Sequence, residues 1–316
     1  MSATGFQILR SSDGGAPTLN GTAGSLIGVL DVLLDIGGSD GLWEKVFSGT
    51  NKAAYRAFSG ERYYLRVDDS SAQSAAVRGF ATMSDVDTGT GQFPTGTQQT
   101  NFNWFKSNTA DSTARTYLGI ATDRFFLLLV SGGWSGSGQD LFFFGEPKKF
   151  YSSDTGSTVI RAHPASSFGS SSMRGHVQTA SNPWNAATSY TAPANNSNSM
   201  MPFAKSADGA TDSASGLTFG GSPSSSLPFG TYGLIIPVPL IIGSVVSGSA
   251  GLPRGALPHI YHTCSLENDA NLSVGDTFSD SDGRTYQLCT PSGTSGLSSS
   301  NSMFAIMTSN DESGVP

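Results

Sequence analysis

Four residues toward the C-terminal end are of types that hold metals: His259, His262, Cys264 and Cys289. The first three stand as H-x-x-H-x-C, and Cys289 follows 25 residues after Cys264. Two imidazoles and two thiolates make a tetrahedral zinc set. The spacing lacks the C-x-x-C or H-x-x-x-H pair of a standard zinc module, and on an extended strand 262 and 264 share a face that 259 does not. Two other readings of the same residues stay open, a buried free thiol and a Cys264–Cys289 disulfide.

Carboxylates close in sequence form a second set: Asp68 with Asp69, Asp85 with Asp87, and Asp280 with Asp282. Two carboxylates flanking a cleft are the equipment of glycoside hydrolysis, but such spacing is also usual in turns and at strand ends. The Asp280-Ser-Asp282-Gly283 loop offers oxygen ligands and a sharp turn for calcium. Asp276, Asp280 and Asp282 do not fall on the EF-hand positions, and the terminal Glu is missing. Gly133-Trp134-Ser135-Gly136-Ser137 approaches G-x-S-x-G with the last glycine displaced. It sits in a glycine-rich loop, where a nucleophile elbow needs a strand running into a helix. No G-x-x-x-x-G-K-[ST] phosphate loop is present. No catalytic, cofactor or metal residue is therefore assigned, and a non-enzyme is expected. Trp43, Trp104, Trp134 and Trp184 could form a carbohydrate platform or serve as packing. Trp43, within a strand, reads as core, and Trp134, in a Gly/Ser loop, as the exposed contact.

The elements that would position these groups are mostly strands. Of 316 residues, 13% are charged and 39 are glycine. Ser, Thr and Asn fill much of the remainder, and they compete with helix backbone for hydrogen bonds. One helical stretch stands out, where Leu26, Ile27, Leu30, Leu33 and Leu34 share a face. Ser25 is positioned to cap it and Gly37-Gly38 to end it. Its partner is either its own sheet or a neighbouring subunit. From Leu42 the period falls to two. Strands are expected around the Ser48–Asn51 turn, over 63–67 and over 77–83, with a polar loop over 84–101. A hairpin is expected at Ala121-Thr122-Asp123-Arg124. The unbroken runs FFLLLV and LFFF predict strands covered on both faces.

The reading is a mainly β protein with a β-sandwich or barrel-like domain, a short N-terminal helix, an extended arm and a second β-rich C-terminal region. Its divisions are 1–38, arm plus helix; 39–164, sandwich; 165–230, a Ser/Gly/Asn-rich strap or linker; and 231–316, C-terminal region. In the last of these, YGLIIPVPLII reads as a bent strand, GLPRGALPHIYH as a loop, and the residues around Asp280 as a hairpin.

The net charge of −7, with Lys148-Lys149 the densest basic cluster, argues against a general nucleic-acid binder. No apolar run reaches the length of a membrane-spanning helix. The N-terminus has no secretion pattern, so synthesis in the cytoplasm is expected.

Several pieces in order give the chain a family likeness. They are APTLNGTAGSLIGVLDVLL, then WEKVFSGTNKAAYR at 43–56, YLRVDDS at 64–70 and MSDVDTGTGQFPT at 83–95. Trp104-x-Lys106-Ser107 follows, then TDRFF at 122–126, FFFGE at 142–146 and LPRGALPHIYH at 252–262. The series resembles a group of tailed-bacteriophage virion structural proteins. The resemblance implies a non-enzymatic component of the particle, of the tail or tail tip. Two alternatives are a receptor- or glycan-binding fibre or spike and a head decoration or collar protein. It also implies a homo-oligomer whose partners are copies of itself and neighbouring virion proteins, with host surface glycan a further partner if it is a fibre. The arm and the strap would clasp neighbours by strand addition.

Overall fold

The computed structural model describes residues 5–38, 41–93, 102–132, 139–146, 148–149, 158–164, 201–204, 217–218, 234–242, 252–264, 275–289 and 304–310. Along the chain, β1 (Phe6–Arg10) precedes α1 (Ser25–Leu33), and β2 (Trp43–Gly49), β3 (Lys52–Ala57), β4 (Tyr64–Asp68) and β5 (Ser74–Phe80) follow. Next come β6 (Thr82–Asp85), β7 (Thr88–Thr90), β8 (Phe102–Phe105), β9 (Tyr117–Thr122), β10 (Phe125–Ser131), β11 (Gln139–Gly145), β12 (Lys148–Lys149) and β13 (Val159–Pro164). The remaining strands are β14 (Met201–Ala204), β15 (Leu217–Thr218), β16 (Leu234–Ile242), β17 (Leu252–Cys264), β18 (Thr277–Ser279), β19 (Thr285–Cys289) and β20 (Phe304–Met307). The protein is mainly β, as its composition requires.

The main sheet runs β1-β9-β10-β11-β13-β8-β5-β4-β3-β2. β13 is where it folds over, pairing with β11 at Val159–Arg161 and with β8 at His163–Pro164. The two halves face each other. Trp43 meets Phe126 edge-on at 5.5 Å, and Trp104 stacks on Phe142 at 5.1 Å. Alternation selects the inner residues: Tyr55, Leu65, Val67 and Val77 from one half, and Phe126, Leu128, Val130, Phe142 and Phe144 from the other, all buried. The end strands β1 and β2 do not pair with each other along this path, so the sandwich stays open on one side.

Helix α1 spans that opening. Gln7 Nε2 donates to Val32 O at 3.0 Å on the β1 side. On the other side Asp31 accepts from Lys45 Nζ at 2.7 Å and from Tyr55 OH at 2.8 Å. The five residues of the expected apolar face are all buried, and so is Val29. The helix packs on its own sheet, where Gly119 makes room for it: a Cβ there would lie 2.7 Å from Leu33 Cδ2. The cap differs from expectation. Gly24, at φ 82°, takes the N-cap position and makes no side-chain cap bond. Ser25 instead donates its hydroxyl to Asn20 O at 2.7 Å.

The opposite face of β9-β10-β11 is also covered. Leu118, Ile120, Phe125, Leu127, Leu129, Leu141 and Phe143 pack with Ile260, Cys289 and Ile306 of the second sheet. That sheet runs β15-β16-β17-β20-β19-β18. The middle of the molecule is thus a sheet buried on both sides, which is why FFLLLV and LFFF show no alternation.

Three segments differ from the sequence reading. The strand expected over 77–83 divides between β5 and β6, and Thr88–Thr90, inside the stretch read as a polar loop, pairs with Thr82–Asp85 as a hairpin. Residues 252–264 form β17 rather than a loop. Their prolines misled the reading: Pro258 falls where Pro237↔Tyr261 gives way to Pro239↔Ala256, a bulge that asks no ladder bond of it. Met201–Ala204 and Leu217–Thr218, within the stretch read as a strap, pair with β13 and β16. The hairpins at Asp123-Arg124 and around Asp280–Gly283 are where the turn residues placed them.

Candidate functional site

Adjacent carboxylates at the end of β4 go to opposite environments. Asp68, still in strand register, faces outward. Asp69, one residue on, turns inward and is fully buried. Its Oδ2 accepts the N–H of Leu26 at 2.8 Å, and the N–H of Ile27 also reaches the carboxylate. A side chain 43 residues away therefore serves the helix N-terminus that Ser25 leaves uncapped. Its Oδ1 accepts from Lys106 Nζ, which also donates to Thr22 O at 2.5 Å. Lys106 is fully buried too. The backbone of Asp69 is tied on both sides, its N–H to Asn51 O at 2.8 Å and its carbonyl to the N–H of Gly24 at 3.0 Å. Burial raises the Asp69 carboxyl above its ordinary range, against the opposing pull of Lys106 and the two helix amides.

Sequence reasoning weighed Asp69 only as half of a carboxylate pair and missed Lys106. One available signal was parity: Trp104 and Lys106 are two residues apart, so a Trp buried in an extended segment puts the lysine on the same face.

Asp68 belongs to an outer cluster with Lys52, Arg66 and Asp87. Lys52 Nζ lies 2.8 Å from Asp87 and 3.6 Å from Asp68, and Arg66 contacts both carboxylates. Bonds from Lys52 and Arg66 hold the Asp87 carboxyl below its usual range. Burial pulls Asp68 upward, but Ser70 and Arg66 outweigh it and the net shift is downward. Asp85 lies exposed on β6, beside this cluster in sequence. Asp68 and Asp69 thus do not face each other, and Asp87 is engaged by Lys52 and Arg66.

The Asp280 loop is filled by the chain's own donors. Asp280 accepts from the N–H of Asp282 at 2.9 Å, the N–H of Arg284 at 3.0 Å and Tyr286 OH at 2.9 Å. Arg284 pairs with both Asp280 and Asp282. Among the described residues no group of three or more His, Cys, Asp or Glu is placed to hold a metal ion.

His259 lies in the β17 bulge at φ 60°. Its Nδ1 is 2.8 Å from Met307 O, and its ring lies 5.4 Å from Phe6 and 5.6 Å from Phe125. Cys289 is buried, and burial pushes its thiol well above the ordinary range. A Cys264–Cys289 disulfide does not fit the register. β20 lies between β17 and β19, so the two backbones are roughly 9–10 Å apart, beyond the ~7 Å that a disulfide spans. The side chains of His262 and Cys264 lie outside the described residues, as do Trp134, Trp184 and the Gly133–Ser137 motif.

Trp43 and Trp104 are core residues. Trp43 Nε1 donates to Thr122 O at 2.7 Å, tying β2 to the end of β9. A further junction missed in the sequence is buried Glu146. It accepts the N–H of Glu61 and lies 3.8 Å from Lys149 Nζ. Lys149 also reaches Glu61 at 2.7 Å, while β12 pairs with β17, so this junction joins the two sheets.

No protein-family model matches the chain, and no curated protein matches it.

Proposed function

We propose that the chain is a non-enzymatic structural component of a tailed-phage particle, acting in tail or tail-tip assembly as a homo-oligomer. The observation that carries this reading is the ordered motif series from APTLNGTAGSLIGVLDVLL to LPRGALPHIYH. The positions of the motifs support it. YLRVDDS supplies Asp69 and Trp104-x-Lys106-Ser107 supplies its lysine. TDRFF makes the β9–β10 turn, FFFGE ends in the Glu146 junction, and LPRGALPHIYH is the bulged β17. These five motifs lie where elements of the fold are joined. A series of that kind suits a scaffold whose work is to be rigid and to meet neighbours.

The test is localisation and copy number in purified particles, by cryo-EM with quantitative mass spectrometry. A small ring- or trimer-sized number of copies at the tail end is the expected result. A large number spread over the head overturns the tail placement in favour of decoration. Absence from particles sinks the structural reading.

A further inference from the structure

We propose that Lys106 and Asp69 are joined by an intramolecular isopeptide bond. The pair differs from an ordinary ion pair in three ways. Both side chains are wholly removed from solvent, so a condensation that releases water is not opposed by bulk water at the site. The nucleophile is aimed: Lys106 Nζ is held by two acceptors, Thr22 O and Asp69 Oδ1. The electrophile is held from its other side, with Oδ2 accepting the N–H of Leu26 at the start of α1 and the N–H of Ile27 also reaching the carboxylate. Amide donors in that position stabilise negative charge developing on Oδ2.

The step balances without a further reactant. An ammonium proton of Lys106 passes to Asp69 Oδ1, giving amine and acid. The amine lone pair attacks Cγ, and the C=O π electrons move onto Oδ2, which the Leu26 N–H faces. A second proton goes from Nζ to Oδ1, the Cγ–Oδ1 bond breaks, and one water leaves. In the resulting secondary amide, the remaining Nζ–H still has Thr22 O as its acceptor, and Oδ2 still accepts from Leu26. Two buried charges disappear while those two hydrogen bonds keep their partners. The bond would connect the end of β4 to the residue after β8, 37 positions along the chain.

The experiment is mass spectrometry of the purified, denatured full-length protein beside its Lys106→Arg variant, followed by tryptic mapping of both. The expected wild-type result is a mass short by one water and a linked species joining residues 67–78 to 79–115, because cleavage at Lys106 is blocked. The variant should carry its full mass and release 67–78 free. A wild-type mass equal to the sequence, with 67–78 and 79–106 free, overturns the proposal. A missing water confined to a single peptide, as in aspartyl succinimide, also overturns it. The wild-type map decides the matter even if the variant does not fold.

Discussion

Leu127 and Leu128 are adjacent in β10, and both have 0% exposure. They point to opposite faces, Leu128 into the sandwich and Leu127 toward the C-terminal sheet. Truncating a fully buried leucine to alanine costs about 2–5 kcal/mol, the lost transfer energy plus the cavity. The three-layer arrangement therefore predicts similar losses, about 3 kcal/mol each, for Leu127→Ala and Leu128→Ala. With a urea slope of about 3 kcal/mol/M, each should lower the midpoint by about 1 M. The assay is urea unfolding followed by tryptophan fluorescence, since Trp43 and Trp104 lie in the inner core. Cysteine labelling adds a local readout: Leu127→Ala should raise the reactivity of Cys289, which shares its cluster, more than Leu128→Ala does. If the outer face of β10 were open to water, Leu127→Ala would cost less than about 1 kcal/mol. A cheap Leu127→Ala beside an expensive Leu128→Ala would refute the double-sided burial.

Three further outcomes are expected. Asp87 has a lowered carboxyl pKa, so its contribution to stability is present above about pH 4 and is lost as pH falls through the lowered value. Asp87→Asn should cost less than about 1 kcal/mol at neutral pH because the pair is exposed, and urea midpoints of variant and parent should converge as pH falls through the lowered value, and in high salt. Gly145 has φ +136°, and a Cβ there would lie 2.4 Å from Arg124 O and from Phe125 Cα. Gly145→Ala should lower Tm strongly, while Gly14→Ala, with nothing within 4 Å, should leave it nearly unchanged. Cys289 should resist alkylation at about pH 8.5 in the folded protein and react fully in urea, because burial keeps its thiol protonated; ready labelling of the folded protein would contradict its placement.

The parts of the fold legible in the sequence were those governed by local rules. The apolar face of α1, the two-residue Asp123-Arg124 turn and the unbroken FFLLLV run each state their environment within a few residues. The junctions were not legible, because their partners are distant. Nothing near Asp68-Asp69 distinguishes the two carboxylates; their fates separate only because β4 ends between them and Leu26 and Lys106 arrive from elsewhere. Ser25 looked like a cap by type, but the backbone at Gly24 takes a left-handed turn and a remote carboxylate takes the role. β17 was hidden because Pro253, Gly255 and Pro258 signal a loop, and only its pairing across a bulge makes it a strand.

The double burial of the β9–β11 sheet also has a consequence for how the chain is made. A ribosome delivers residues in order, and domains fold as they emerge. The inner sandwich can gather once β13 is out, but the cover for Leu127, Leu129, Leu141 and Phe143 includes Ile260, Cys289 and Ile306. For the time taken to synthesise the intervening residues, the nascent protein carries a naked apolar wall, the kind of surface that draws chaperones or other nascent copies. A message cut short before β17 would lack Ile260, Cys289 and Ile306 and leave that wall without their cover.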